Sequence, residues 1–231
     1  MDRTRIDLKP GEHCLIVGQT QSGKSIVATV FARGLDAGSV VVYDPKRDPD
    51  AVLPNCAVFR DASEVIRHLP GRVIWQPVRQ PEAKLRASWD RICARLLDLA
   101  EHGFSSTVVV HELGDLADSH SVGPAFRQII TQGGKIAGGR ERGGGHVGAI
   151  LVTQRPTGIP VIARTEMRHI VLLALAGRAD REYMAELMED ERDPAGSHDH
   201  VASFALPNDY SWLYRSPGHR LTLHDPVALP H

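Results

Sequence analysis

Three short groups of residues in this 231-residue chain have the types and spacing to do chemistry. The first is Gly18-Gln19-Thr20-Gln21-Ser22-Gly23-Lys24-Ser25, which fits G-x-x-x-x-G-K-[ST], the phosphate-binding P-loop. Its glycines let the backbone close round an anion, and the amides of the loop and of the following helix N-terminus point at that anion. Lys24 is expected to reach the β- and γ-phosphates and Ser25 to hold Mg²⁺, with Ile26 closing the nucleotide-binding segment. ATP with Mg²⁺ is therefore the expected ligand. The second group is Val108-Val109-Val110-His111-Glu112, an apolar run ending in an acid. Glu112 stands where an ATPase keeps the carboxylate that orients or deprotonates the attacking water. His111 occupies the position of the acid that usually contacts Mg²⁺. A neutral imidazole can still accept a hydrogen bond from a metal-bound water, as can Glu112, so both are candidate metal contacts through water. The third group is Thr153-Gln154-Arg155-Pro156. Gln154 can sense the γ-phosphate or the water, or it can merely sit in a turn before Pro156.

These groups need elements to hold them. Leu15-Ile16-Val17 precedes the loop and reads as a buried strand, with the strand drawn as 13–17. Residues 24–35 follow as a helix. Short β-branched or apolar runs at 39–43, 57–59, 72–76, 107–110, 147–152 and 170–175 read as further strands. Between them, Leu85, Trp89, Ile92, Leu96 and Leu99 recur at helical spacing, which predicts a long amphipathic helix over 82–101 with these side chains in the core. Asp61 or Ser63 caps a short helix, residues 122–136 form another broken near Gly133, and Asp180 caps an acidic one. Near the C-terminus, residues 204–206 and 211–214 suggest a hairpin, with 221–223 as an edge strand. Apolar strands alternating with helices mean an α/β fold with a mostly parallel sheet covered on both faces, and ligand at the carboxyl ends of its strands. One domain is expected over 1–231, with the core at about 11–190 and the hairpin extension at about 200–231.

Composition narrows the classes. The net charge of −1 gives no global signature for nucleic acid, so any DNA contact must be local. Arg127, Lys135, Arg140, Arg142, Arg155, Arg164 and Arg168 form such a basic stretch. The three cysteines, Cys14, Cys56 and Cys93, have neither disulfide nor metal spacing and suggest a reducing, cytoplasmic compartment. No run approaches the ~20 apolar residues of a membrane span.

Taken together the motifs resemble those of the FtsK–HerA superfamily of DNA-pumping P-loop ATPases. The matching pieces are residues 18–25, Val42-Tyr43-Asp44-Pro45-Lys46, Val110-His111-Glu112 and Val152-Thr153-Gln154-Arg155-Pro156, in the family's order from about residue 11 to 175. The resemblance implies a RecA-like (ASCE) core, Glu112 as catalytic base, Gln154 as polar sensor, Lys24 as phosphate ligand and Asp44 near the metal. Arg168 resembles the arginine that this family has just before the next strand. The departure is His111, where the family usually has Asp. The family works as rings of five or six subunits with ATP between neighbours, so an arginine reaching into the adjacent site is implied. Arg142 and Arg140, on the glycine-rich loop 138–145, are the candidates, with Arg168 and Arg164 in reserve.

Within that superfamily, a chain with only about a dozen residues before its first strand is most similar to the genome-packaging ATPases of membrane-containing double-stranded DNA viruses. That implies non-sequence-specific double-stranded DNA, a homo-oligomeric ring and capsid or membrane-vertex proteins as partners. It also implies a location in the host cytoplasm or at the packaging vertex. A plasmid- or mobile-element-borne DNA transfer ATPase is the alternative within the class. Outside it stand a nucleotide-binding assembly protein with weak hydrolysis, which His111 favours, and a small-molecule kinase, which the Asp-Pro-Lys and Thr-Gln-Arg-Pro pieces do not suit.

Overall fold

The computed structural model describes residues 8–9, 11–35, 38–118, 121–134, 144–188, 198–199, 201–202, 210–215 and 221–227. Among these residues nine strands form one sheet in the order β3-β4-β2-β5-β6-β1-β7-β8-β9. They are β1 (His13–Val17), β2 (Ser39–Tyr43), β3 (Ala57–Phe59), β4 (Arg72–Trp75), β5 (Ser106–Val110), β6 (Val147–Thr153), β7 (His169–Leu172), β8 (Trp212–Arg215) and β9 (Thr222–His224). The first seven are mutually parallel, and β8 and β9 add antiparallel. The strand expected at 211–214 and the edge strand expected at 221–223 pair with each other as the hairpin β8–β9, and the expected arm 204–206 lies outside the described residues.

The parallel strands read as continuous apolar runs because both faces are covered. Successive side chains alternate between two cores. Cys14, Ile16, Val42 and Ile150 meet Val27, Ala28 and Phe31 of α1 (Lys24–Gly34) on one face. Leu15, Val17, Val41 and Leu151 meet the remaining helices on the other. These are α2 (Ala62–His68), α3 (Glu82–Glu101), α4 (Leu113–Leu116), α5 (Pro124–Gln132), α6 (Val161–Thr165) and α7 (Arg178–Leu187). Of the α3 stripe, Trp89, Ile92, Leu96 and Leu99 are buried and Leu85 is partly buried against the same core, and Trp89 stacks on Trp75 with ring centres 6.1 Å apart. Asp61 caps α2 by accepting from the Ser63 amide at 2.7 Å. Asp180 is not the cap of α7; Gly177 is, and Asp180 lies in the first turn, where its charge favours the helix dipole.

The N-terminal end of the sheet carries a titration that the site does not share. His13 is buried at the start of β1, and burial lowers its imidazole to about 4 against the raising effect of Glu12. The unfolded chain binds this proton more readily between pH 6.5 and 4, so stability is complete above pH 6.5 and falls as the pH drops through that window. The loss reaches about 3 kcal/mol, taking 1.36 kcal/mol per pKa unit. Urea midpoints measured from pH 7.5 to 4 report it, and His13→Leu is expected to flatten the slope in that range.

Candidate nucleotide site

The C-terminal ends of four adjacent strands bring the three sequence groups together. Across the order β2, β5, β6, β1, Tyr43 pairs with Val110, Val110 with Leu151, and Val17 with Thr153. The residues just beyond these ends are Asp44, His111 with Glu112, Gln154 and Gly18.

The loop is tied down by its own backbone. The Gly18 amide donates to the Thr153 carbonyl at 3.3 Å and the Gln19 amide to the Ala174 carbonyl at 2.6 Å. Gln21 and Gly23 adopt positive φ, 62° and 90°, and Gly23 is the residue from which α1 starts. A Cβ on Gly18 would stand 2.5 Å from Ser22 Oγ and 3.0 Å from Leu173 Cβ, so a side chain here would have to displace the Ser22 hydroxyl. The resulting cradle fits a phosphate. Ser22 Oγ is buried without a protein partner, and the Lys24 ammonium folds back onto the Gln19 carbonyl. Burial lowers Lys24 to about 8, opposed by the charge of Glu112, so an anion in the loop would restore the full ammonium charge.

A hydrogen-bonded chain crosses the site. Thr20 Oγ1 donates to Gln154 Oε1 at 2.9 Å, and Gln154 Nε2 donates to Glu112 Oε2 at 3.0 Å. The same carboxylate oxygen accepts from Lys46 Nζ. Glu112 sits at the N-terminus of α4 without capping it by its side chain, which leaves the carboxylate to this network. Gln154 is thus more than a turn residue before Pro156: it bridges the P-loop and the candidate base.

Ser25 has a partner that the sequence motifs do not include. Ser25 Oγ donates to Asp48 Oδ2 at 2.6 Å. Asp48 lies in the loop after β2, and the sequence reading passes over it as part of a charged turn. Its amide donates to Asp44 Oδ1 at 3.1 Å, and Gln76 Nε2 donates to Asp44 Oδ2 at 2.9 Å. Asp44 is fully buried, and both of its oxygens are engaged by protein groups. His111 is held by its amide, which donates to the Tyr43 carbonyl at 3.0 Å. Both of its ring nitrogens are buried without a hydrogen-bond partner. Burial lowers its pKa, while the charges of Asp44 and Asp48 push the other way, so the ring is neutral at pH 7. Among the described residues no cluster of three or more His, Cys, Asp or Glu side chains gathers for a metal.

Beside the loop, Ile26, Leu173, Tyr210 and Val227 line a cleft of about 500 Å³. The basic stretch read from the sequence does not form one stripe. Arg155 follows the C-terminal end of β6, whereas Arg168 precedes the N-terminal end of β7, so the two lie at opposite ends of the sheet. Arg168 pairs with Glu12 at 3.1 Å, and Arg164 stands over the Tyr183 ring. Arg140 and Arg142 lie outside the described residues, as does Lys135. No described helix is long and apolar enough to cross a membrane.

Neither a known protein family nor a curated protein matches the sequence. Solved structures do match. The genome-packaging NTPase B204 from Sulfolobus turreted icosahedral virus 2, in complex with sulfate, superposes with a TM-score of 0.71 at 15% identity, covering 97% of this chain and 100% of that one. Its complex with AMPPCP superposes at 0.67 with 14% identity, covering 95% and 100%. The pCW3 conjugation coupling protein TcpA with ATPγS gives 0.55 at 17% identity, covering 95% of this chain and 61% of that one. The chain therefore has the RecA-like P-loop ATPase fold, with a viral genome-packaging NTPase and a conjugation coupling protein as structural neighbours.

Proposed function

We propose that the chain is an ATP-hydrolysing double-stranded DNA translocase that works as a homo-oligomeric ring, of the viral genome-packaging kind. The observation that carries this reading is the Thr20–Gln154–Glu112 chain with Lys46 on the same carboxylate. A protein that only binds nucleotide has no need of a carboxylate tied through an amide to its phosphate loop. Glu112 takes the proton of the attacking water, and Gln154 couples the state of the phosphate loop to that base. Lys24 and the loop amides hold the β- and γ-phosphates, and the purine occupies the cleft beside Ile26 and Tyr210. Mg²⁺, when bound, neutralises charge on the phosphate oxygens; Ser25 is one residue that would hold it. An arginine from the neighbouring subunit, Arg142 or Arg140, completes each site.

The structural neighbours support the same reading: B204 is described as a genome-packaging NTPase, and TcpA as a conjugation coupling protein. The latter keeps a mobile-element DNA transfer ATPase as the second reading, and a viral motor would in addition meet capsid or membrane-vertex proteins. Gene neighbours encoding capsid proteins separate the two. The test of the shared reading is ATP turnover with and without double-stranded DNA. Turnover is expected to rise several-fold with DNA, equally for unrelated sequences, because the contacts fall on phosphates. Hydrolysis indifferent to DNA would remove the translocase, and no hydrolysis would leave a nucleotide-binding assembly protein.

A further inference from the structure

The usual metal-contacting acid is absent at His111, yet its chemical place is filled. In P-loop sites the hydroxyl after the lysine and a nearby carboxylate share one cation. Here the carboxylate hydrogen-bonded to the Ser25 hydroxyl comes from another element, Asp48 in the loop after β2. We propose that Asp48 supplies the carboxylate contact to the nucleotide's divalent cation, in place of the acid that His111 displaces. This rests on the reading of residues 18–25 as a Mg²⁺–nucleotide site.

Elimination among the neighbouring acids supports the assignment. Glu112 is committed to Lys46 and Gln154. Asp44 has one oxygen on the Asp48 amide and the other on Gln76, so it is a positioning residue that fixes the Asp48 backbone. Asp48 uses Oδ1 to accept from the Asp50 amide at 3.0 Å, which leaves Oδ2 facing Ser25. A second observation is independent of these acids. His111 holds two buried ring nitrogens with no partner in a space acted on by the charges of Asp44 and Asp48. A buried polar atom without a hydrogen bond is costly, and a water on a cation held by Ser25 and Asp48 would satisfy one of them.

The test is calorimetric binding of ATPγS to the full chain in EDTA and in MgCl₂. For the wild type Mg²⁺ is expected to strengthen binding. Asp48→Asn keeps the Oδ1 acceptor and is expected to lose at least about ten-fold of that Mg²⁺-dependent gain, with EDTA binding no weaker than wild type. Asp48→Cys is expected to move the preference from Mg²⁺ towards Cd²⁺, because thiolate is a soft ligand. A second substitution, His111→Asp in the Asp48→Asn chain, is expected to restore the gain. A wild-type Mg²⁺ gain in Asp48→Asn, or its loss in His111→Ala alone with Asp48 dispensable, overturns the assignment. Weakened binding by Asp48→Asn in both EDTA and MgCl₂ makes Asp48 a structural residue and overturns it equally. Failure of the wild type to bind in either condition removes the nucleotide reading itself, and this assignment with it.

Discussion

Glu112→Gln is expected to bind ATP as the wild type does and to turn it over about 10²–10⁴-fold more slowly, the usual contribution of a positioned general base. The substitution keeps length and shape. Its amide oxygen can still accept from Gln154 Nε2 and from Lys46, the two donors that meet on Glu112 Oε2. What disappears is the basicity and the charge. Two measurements made together decide the point: equilibrium binding of ATP, and single-turnover hydrolysis. Wild-type turnover in the variant would remove Glu112 from the chemistry. Lost binding would instead mean that the carboxylate serves the local fold, in particular by fixing Gln154 and, through it, Thr20.

The other large effect concerns the neighbour's contribution. Arg142→Ala is expected to lower hydrolysis by about 10³–10⁵-fold, as loss of an arginine finger does in related chemistry. Lys24→Ala is expected to be inactive for a different reason, loss of the phosphate contact inside its own loop. Mixing the two inactive chains separates a shared site from a self-contained one. At an interface where the Arg142→Ala chain supplies the loop and the Lys24→Ala chain supplies the arginine, every part is present. Random assembly of equal amounts creates such interfaces about one time in four, so activity up to about a quarter of wild type is expected where sites act independently. No recovery here, nor with Arg140→Ala in place of Arg142→Ala, would remove the trans-arginine. Arg168 is a poorer source within its own subunit, because it lies at the opposite end of the sheet from the loop and is paired with Glu12.

Much of this site is legible in the sequence. Residues 18–25 announce themselves because phosphate binding by backbone needs glycine at set places, and that demand is local in sequence. The apolar runs before Gly18, His111 and Gln154 were equally plain, since a strand buried on both faces has no polar alternation to obscure it. The α3 stripe follows from a 3.6-residue period, and Trp89, Ile92, Leu96 and Leu99 of it are buried. Asp48 escaped the sequence reading for a physical reason. Asp44-Pro45-Lys46-Arg47-Asp48-Pro49 is compatible with any solvated turn, and the packing of the segment that follows against α1 brings Asp48 to Ser25. The pairing of β8 with β7 has no signature in either segment alone, because the two lie far apart in sequence.

By itself, then, the sequence determined that a phosphate-binding loop, a strand-end acid and a strand-end amide exist, because each depends on neighbours a few residues away. Tertiary structure decided which of these share atoms. The order β2-β5-β6-β1 sets Gln154 between Thr20 and Glu112, and His111 in a buried space with no side-chain hydrogen bond of its own, while packing against α1 sets Asp48 on Ser25. Those contacts span separations of 23 to 134 residues. Strand order and helix packing fix them, and both follow from how the whole set of apolar faces is buried rather than from any one segment.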